Sequence, residues 1–131
     1  PREALEELIW PSGFFRQKVS RLCAVADFLL TRGGIPGCRA IPTEALRRQL
    51  LSVPGIGPET CDDILCYALD RPVFVVDAYT RRLADTIGAP ADLSYERMQE
   101  RFTQGLRKDW RLYQDFHALI VIDGKERRER R

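Results

Sequence analysis

The sequence predicts an all-α fold of about seven helices. Three observations carry that reading. Apolar residues recur at i, i+3, i+4, i+7 spacing along most of the 131 residues. Clusters of Pro and Gly fall at the ends of those stretches, where helices stop. No stretch keeps up the alternation of a half-buried strand; the short apolar run VFVV at 73–76 is strand-like by pattern alone.

The elements follow in order. A first helix covers 2–10 through Leu5, Leu8 and Ile9, and Pro11–Ser12–Gly13 breaks it. From about Phe15 to Thr31, the residues Val19, Leu22, Cys23, Ala26, Leu29 and Leu30 share one face. Gly33–Gly34 closes this helix, and GGIPGCRAIP (33–42) reads as a loop. Thr43 caps a helix carrying Leu46 and Leu50. PGIG at 54–57 makes a tight turn, and Pro58 fits the first position of the next helix. That helix buries Cys61, Ile64, Leu65, Ala68 and Leu69. Asp77 caps a helix through Tyr79, Leu83 and Ile87, and Ser94 caps one with Tyr95, Met98 and Phe102 on one stripe. A last helix, about 110–122, carries Leu112, Phe116, Leu119 and Ile120. No repeat or domain boundary interrupts residues 1–124, and 125–131 forms a basic C-terminal tail.

Composition excludes several classes. With 44% hydrophobic and 31% charged residues, the chain is neither disordered, collagenous nor a disulfide miniprotein. No apolar run reaches the ~18 residues that span a bilayer, so no membrane partner is expected. The chain starts at Pro1, and PREALEEL is acidic and helical, so no signal peptide is expected. The net charge of +2 is local: KERRERR at 125–131 holds 5 basic and 2 acidic residues, which leaves 16 basic against 17 acidic elsewhere. Such a tail is expected to be solvated and disordered rather than a nucleic-acid grip. Cys23, Cys38, Cys61 and Cys66 form no C-x-x-C pair, and His117 is remote from all of them, which argues against zinc and iron–sulfur binding. Cys23, Cys61 and Cys66 fall in apolar helical patterns, as buried thiols of a reducing compartment do.

The segment that carries chemistry is LLSVPGIGPETCDDILCYAL, residues 50–69. Gly55 and Gly57 permit backbone conformations closed to other residues and bare the N–H groups at a helix start. Unpaired amides and the helix dipole there attract an anion, and a DNA backbone phosphate is the natural ligand. A phosphate contact positions a duplex without reading its sequence. Taken alone, PGIG fits a plain helical corner equally well. Residues 50–70 hold Glu59, Asp62, Asp63 and Asp70 and no Lys or Arg, so any grip there comes from amides, with Arg47, Arg48 and Arg71 flanking. Asp77 stands 18 residues after Glu59, directly after VFVV. By itself it reads as an N-cap, and a carboxylate so placed can also face a pocket.

Together, LSVPGIGPETCDDIL and RPVFVVDAYTRRL resemble the helix-hairpin-helix DNA glycosylase superfamily, in its endonuclease III branch. The hairpin, the 18-residue step and the V-V-D stretch occur in register, most specifically across 46–88. GPETCDDILCYALDRPVFVVDAY looks most like the bacterial 3-methyladenine glycosylases of the endonuclease III type. The resemblance implies a glycosylase-type helical bundle. It implies that Gly55 and Gly57, with the amides of Glu59 and Thr60, hold a phosphate near the lesion. The carbonyls of Leu51, Val53 and Ile56 match positions that can coordinate a structural monovalent or divalent cation. Asp77 matches the catalytic aspartate, and Tyr79 is a candidate for the pocket wall. Glycosylases flip the damaged nucleotide out of the stack, and a fixed carboxylate stabilises the charge that builds on the sugar or activates water.

Glu59 departs from the family. Members that also cut the strand have a lysine there whose amine forms a Schiff base, which a carboxylate cannot do. Lys18, Lys108 and Lys125 do not match the position. The resemblance therefore implies a monofunctional enzyme acting on double-stranded DNA with a damaged, alkylated purine. No cofactor is expected. A monomer in a prokaryotic cytoplasm, associated with the nucleoid, is expected. LIVIDGK at 119–125 aligns just before the family's four cluster-binding cysteines, where this chain has ERRERR, so no iron–sulfur cluster is expected. The match begins near Leu5, so no counterpart of the family's further N-terminal segment, with its wedge residue, is expected among these residues. A non-catalytic DNA-binding module, an inactive fragment and an endonuclease III-like glycosylase/AP lyase are the alternatives. Trp10, Phe14 and Phe15 are expected in core or hinge packing rather than base stacking, Arg81 and Arg82 on a solvated face, and His117 in a structural role.

Overall fold

The computed structural model describes residues 2–90 and 92–129, and among them every regular element is helical. The chain packs as two compact units, Pro1–Gly57 and Pro58–Arg131, divided in the hairpin. No helix of the described residues is long and apolar enough to cross a membrane.

The first unit contains α1 (Arg2–Ile9), a 3₁₀ turn (Trp10–Ser12), α2 (Phe15–Leu30), α3 (Gly34–Ala40) and α4 (Thr43–Leu51). Helix α3 occupies the stretch expected to be a loop. Pro36 falls in its first turn, where the missing N–H would find no intrahelical partner anyway. Gly37 then lets α3 close on the end of α2, since a Cβ there would fall onto the Arg32 carbonyl oxygen. A backbone atom cannot rotate aside, so Gly37→Ala is expected to cost about 1–3 kcal/mol, read as a lowered melting temperature. An unchanged melting temperature would show that α3 can shift freely.

Thr43 is the first helical residue of α4, and Pro42 holds the N-cap position instead. The α2 stripe is only partly inward: Val19 and Phe28 are buried, while Leu22, Ala26 and Leu30 are exposed. Cys38, Leu46, Leu50, Val53 and Ile56 are the other buried apolar residues of this unit. Trp10 and Phe14 are presented to solvent rather than packed, and Phe14 sits in the left-handed region at φ 48°.

The second unit contains α5 (Pro58–Asp63) continuing into a π turn (Ile64–Ala68), α6 (Ala78–Thr86), α7 (Tyr95–Thr103) and α8 (Trp110–Glu129). Asp77 and Ser94 cap α6 and α7 as expected, accepting from the Thr80 and Arg97 N–H groups. VFVV belongs to no helix and pairs in no strand. Phe74, Val75 and Val76 instead enter the core with Cys66, Ala84, Met98, Tyr113 and Ile120. Phe74 is its centre, stacked on Phe102 (5.7 Å between centroids) and edge-on to Tyr113 (6.0 Å).

Helix α8 presents Tyr113, Phe116, His117 and Ile120 inward, a stripe rotated from the expected one; Leu119 is exposed. It also runs past the expected end at 122 to Glu129, so the first basic residues of the tail continue the helix. An Arg127–Asp123 pair one turn apart (2.7 Å) spans the passage. Residues 130–131 lie outside the described ones. Among the described residues there are eight α-helices, in keeping with the expected all-α fold of about seven. All four cysteines are thiols; Cys38, Cys61 and Cys66 are buried and Cys23 is partly so.

Candidate active site

The π turn, the α6 cap and α8 place Tyr67, Asp77 and His117 together, residues up to 50 positions apart. Asp77 Oδ1 accepts the Thr80 N–H (2.8 Å) and the Thr80 hydroxyl (3.0 Å). Its other oxygen, Oδ2, lies 3.4 Å from His117 Nε2. That is a close approach on which no hydrogen bond closes, and Nε2 is buried without another partner among the described residues. On the far side of the ring, the Tyr67 hydroxyl lies 2.6 Å from Nδ1. His117, expected to be structural, is therefore in the site.

Electrostatics separates the groups. Burial pushes the Asp77 carboxyl up, but the His117 ring and the two Thr80 donors outweigh it and hold the group down at about 2. The carboxylate stays ionised far below neutral pH. Glu59, exposed in the first turn of α5, shifts the opposite way: partial desolvation raises its carboxyl, and Asp77 and Asp63 raise it further, against His117 and Arg81. Glu59 and Asp77 thus share one electrostatic neighbourhood. Burial, then the nearby Asp63, pushes the Cys66 thiol up to about 12, so it is no nucleophile at neutral pH. Burial, then Cys66, Asp63, Asp77 and Asp115, also pushes Tyr67 up to about 12, and its hydroxyl keeps its proton.

In the hairpin, only Gly55 uses the left-handed region (φ 83°); Gly57 does not need it, contrary to expectation. The two glycines also differ in surroundings. A Cβ on Gly55 would come within 2.9 Å of Arg21 Cγ, because the Arg21 side chain of α2 lies across it. A Cβ on Gly57 would meet nothing among the described residues. Arg21 gives the hairpin a cation that the 50–70 segment lacks. No local signal marks it, since it is distant in sequence. The Val53 carbonyl accepts the Ile56 N–H (3.1 Å). Glu59 and Thr60 are exposed in the first turn of α5, where a helix leaves its amides without internal partners.

Tyr79 does line a cleft, but one between α6 and α8 that does not include Asp77. This cleft of about 340 Å³ is bounded by Leu83, Ile120, Gly124 and Arg127. Arg82 stacks on the Tyr79 ring at 4.3 Å. Gly124 makes room for that ring, since a Cβ there would strike it.

Residues 1–108 match the model of the HhH-GPD superfamily of base excision DNA repair proteins. A protein of Methanocaldococcus jannaschii described as a candidate DNA repair glycosylase is 43% identical over 123 residues, 91% of this chain and 56% of its own. Endonuclease III of Thermotoga maritima is 27% identical over 107 residues, 82% of this chain and 47% of its own. In structure, the chain is similar to the H. pylori 3-methyladenine DNA glycosylase MagIII, solved bound to 1,N6-ethenoadenine. The TM-score is 0.85 at 28% identity, covering 97% of this chain and 64% of that one. The chain thus spans about half to two thirds of the length of these relatives.

Proposed function

Because the chain belongs to the HhH-GPD superfamily of base excision DNA repair proteins, we propose that it is a monofunctional glycosylase. Its substrate is an alkylated purine in double-stranded DNA, cleaved at the N-glycosidic bond after the nucleotide is flipped out. The observation that carries this reading is the Asp77 carboxylate, held ionised by Thr80 and His117 with Glu59 in its field where a lyase would need an amine.

In this mechanism the bond from C1′ to the base nitrogen breaks, and its electron pair leaves with the base. An already cationic alkylated purine departs neutral. Positive charge builds on the sugar, and Asp77 stabilises it. A carboxylate titrating at about 2 is a poor proton acceptor, so its work is electrostatic. Water forms the new bond to C1′ and loses its proton to solvent. Glu59 cannot form a Schiff base.

The hairpin amides of Gly55 and Gly57 take a backbone phosphate, with those of Glu59 and Thr60 next along the chain. The open space at Gly57 and the Arg21 side chain across Gly55 support this assignment. A structural cation at the hairpin would use the carbonyls of Leu51, Val53 and Ile56. The Val53 oxygen keeps one lone pair beyond its bond to Ile56, which fits that role. The reaction needs no further cofactor, and we take the active species to be a monomer in a prokaryotic cytoplasm. One observation favours a non-catalytic DNA-binding module instead: the cleft that Tyr79 lines leaves Asp77 out.

The test is to incubate the full chain with duplexes carrying one 3-methyladenine or one 1,N6-ethenoadenine, measuring binding and base release together. Base release without a borohydride-trapped covalent adduct is expected. Binding without release would establish the module, and a trapped adduct would make the protein a lyase.

A further inference from the structure

We propose that Tyr67 and His117 are a positioning pair for Asp77, holding the carboxylate from the side opposite Thr80; this rests on the glycosylase reading above. Three segments distant in the chain must meet to build it. The Tyr67 hydroxyl has one proton and two acceptors in reach, His117 Nδ1 at 2.6 Å and the Gln114 carbonyl at 3.4 Å. With the ring neutral and Nδ1 free to accept, the shorter contact takes the proton. With Nδ1 accepting, the neutral ring carries its own proton on Nε2, aimed at Asp77 Oδ2. The other tautomer would set a lone pair against a carboxylate. Tyr67 thereby selects the ring form that Asp77 requires.

The backbone is shaped for this contact. Helix α5 opens into a π turn at Ile64–Ala68, an arrangement that inserts a residue and often marks functional sites. The Cys66 carbonyl is taken by the Gln114 side chain at 2.7 Å. Gln114 stands one turn before His117 on α8, so one helix supplies both the ring and the brace for the turn that carries Tyr67. Phe74 meets the His117 ring edge-on at 6.2 Å and fixes its plane. Core packing does not place Tyr67, which is 43% exposed.

The unclosed Nε2–Oδ2 separation belongs to the same device. A buried N–H without a partner is unfavourable, and such contacts lengthen in a free enzyme and tighten when substrate charge develops. The charged and titratable groups around Asp77 are Glu59 and Asp63 of α5, Tyr67 of the π turn and His117 of α8. Arg81 of α6 acts on Glu59.

The test uses the full chain with Tyr67→Phe, which removes only the hydroxyl from an exposed ring, and His117→Gln, which keeps a donor. Two readouts are needed: the Asp77 carboxyl titration followed by NMR in the free protein, and the pH profile of single-turnover release from the 3-methyladenine duplex, whose base is already cationic. Tyr67→Phe is expected to slow release roughly tenfold or more with duplex affinity unchanged. It should move both the Asp77 midpoint and the acid limb of the rate to higher pH, with His117→Gln moving them further, because the ring itself faces the carboxylate. A parent-like titration and rate in Tyr67→Phe would overturn the pair, as would slower release with the titration unmoved. If the parent releases no base, the glycosylase reading fails, while the NMR titration still decides whether the pair holds Asp77.

Discussion

Asp77→Asn is expected to lower base release by at least about a hundredfold while duplex binding stays near the parent's and the melting temperature falls by a few degrees, since the amide keeps the cap but not the stabilising charge. The substitution separates two duties of one residue. As an N-cap, Asn serves about as well as Asp, because its Oδ1 can accept the same Thr80 N–H and hydroxyl. Only the charge is lost, and the charge is what a positive sugar needs. The pH dependence follows from the lowered titration. A carboxyl brought from 3.8 to about 2 stabilises the fold fully above 3.8, and this contribution disappears as pH falls through about 2. Release by the parent should therefore keep its Asp77-dependent rate throughout the mildly acidic range. Single-turnover kinetics and fluorescence anisotropy on the same duplex check both halves. Release by Asp77→Asn at the parent's rate would remove Asp77 from the chemistry.

Phe74→Ala is expected to destabilise the protein by about 3–5 kcal/mol, the largest effect of any single core truncation here. Phe74 is the largest fully buried side chain, and four rings surround it: Phe102, Tyr113, Phe116 and His117. Three of those rings belong to α8, so the void cannot be refilled without moving the helix that carries His117. Loss of the ring should thus weaken the site as well as the core. Denaturant unfolding measures the first, and the Asp77 titration the second. A loss below about 1 kcal/mol would mean that the aromatic cluster collapses onto the gap, contrary to the rigidity assigned to it.

Much of this was legible because it is chemistry at short range. Asp77 and Ser94 announce their caps by standing just before apolar helical stripes, and a cap needs only its own first turn. Pro58 opens α5, and Gly55 makes its turn, for equally local reasons. Where two local rules compete, sequence alone misleads. In GGIPGCRAIP the breakers suggested a loop, but Pro in a first turn and Gly against a carbonyl are both compatible with the helix α3. On α8, apolar count pointed to Leu112 and Leu119, while the inward face is set by Tyr113 and His117 meeting Phe74.

The sequence by itself determined the helical class, the hairpin, the aspartate and the absence of an amine at Glu59. Each is a matter of residue identity, or of neighbours within a turn or two. The tertiary structure alone decided that Arg21 lies across Gly55, that Glu59 titrates in the field of Asp77, and that Tyr67 and His117 stand behind the carboxylate. Tautomer and charge state depend on distances of a few ångströms between residues tens of positions apart. A π turn and the packing of one helix set those distances, and neither leaves a period in the sequence.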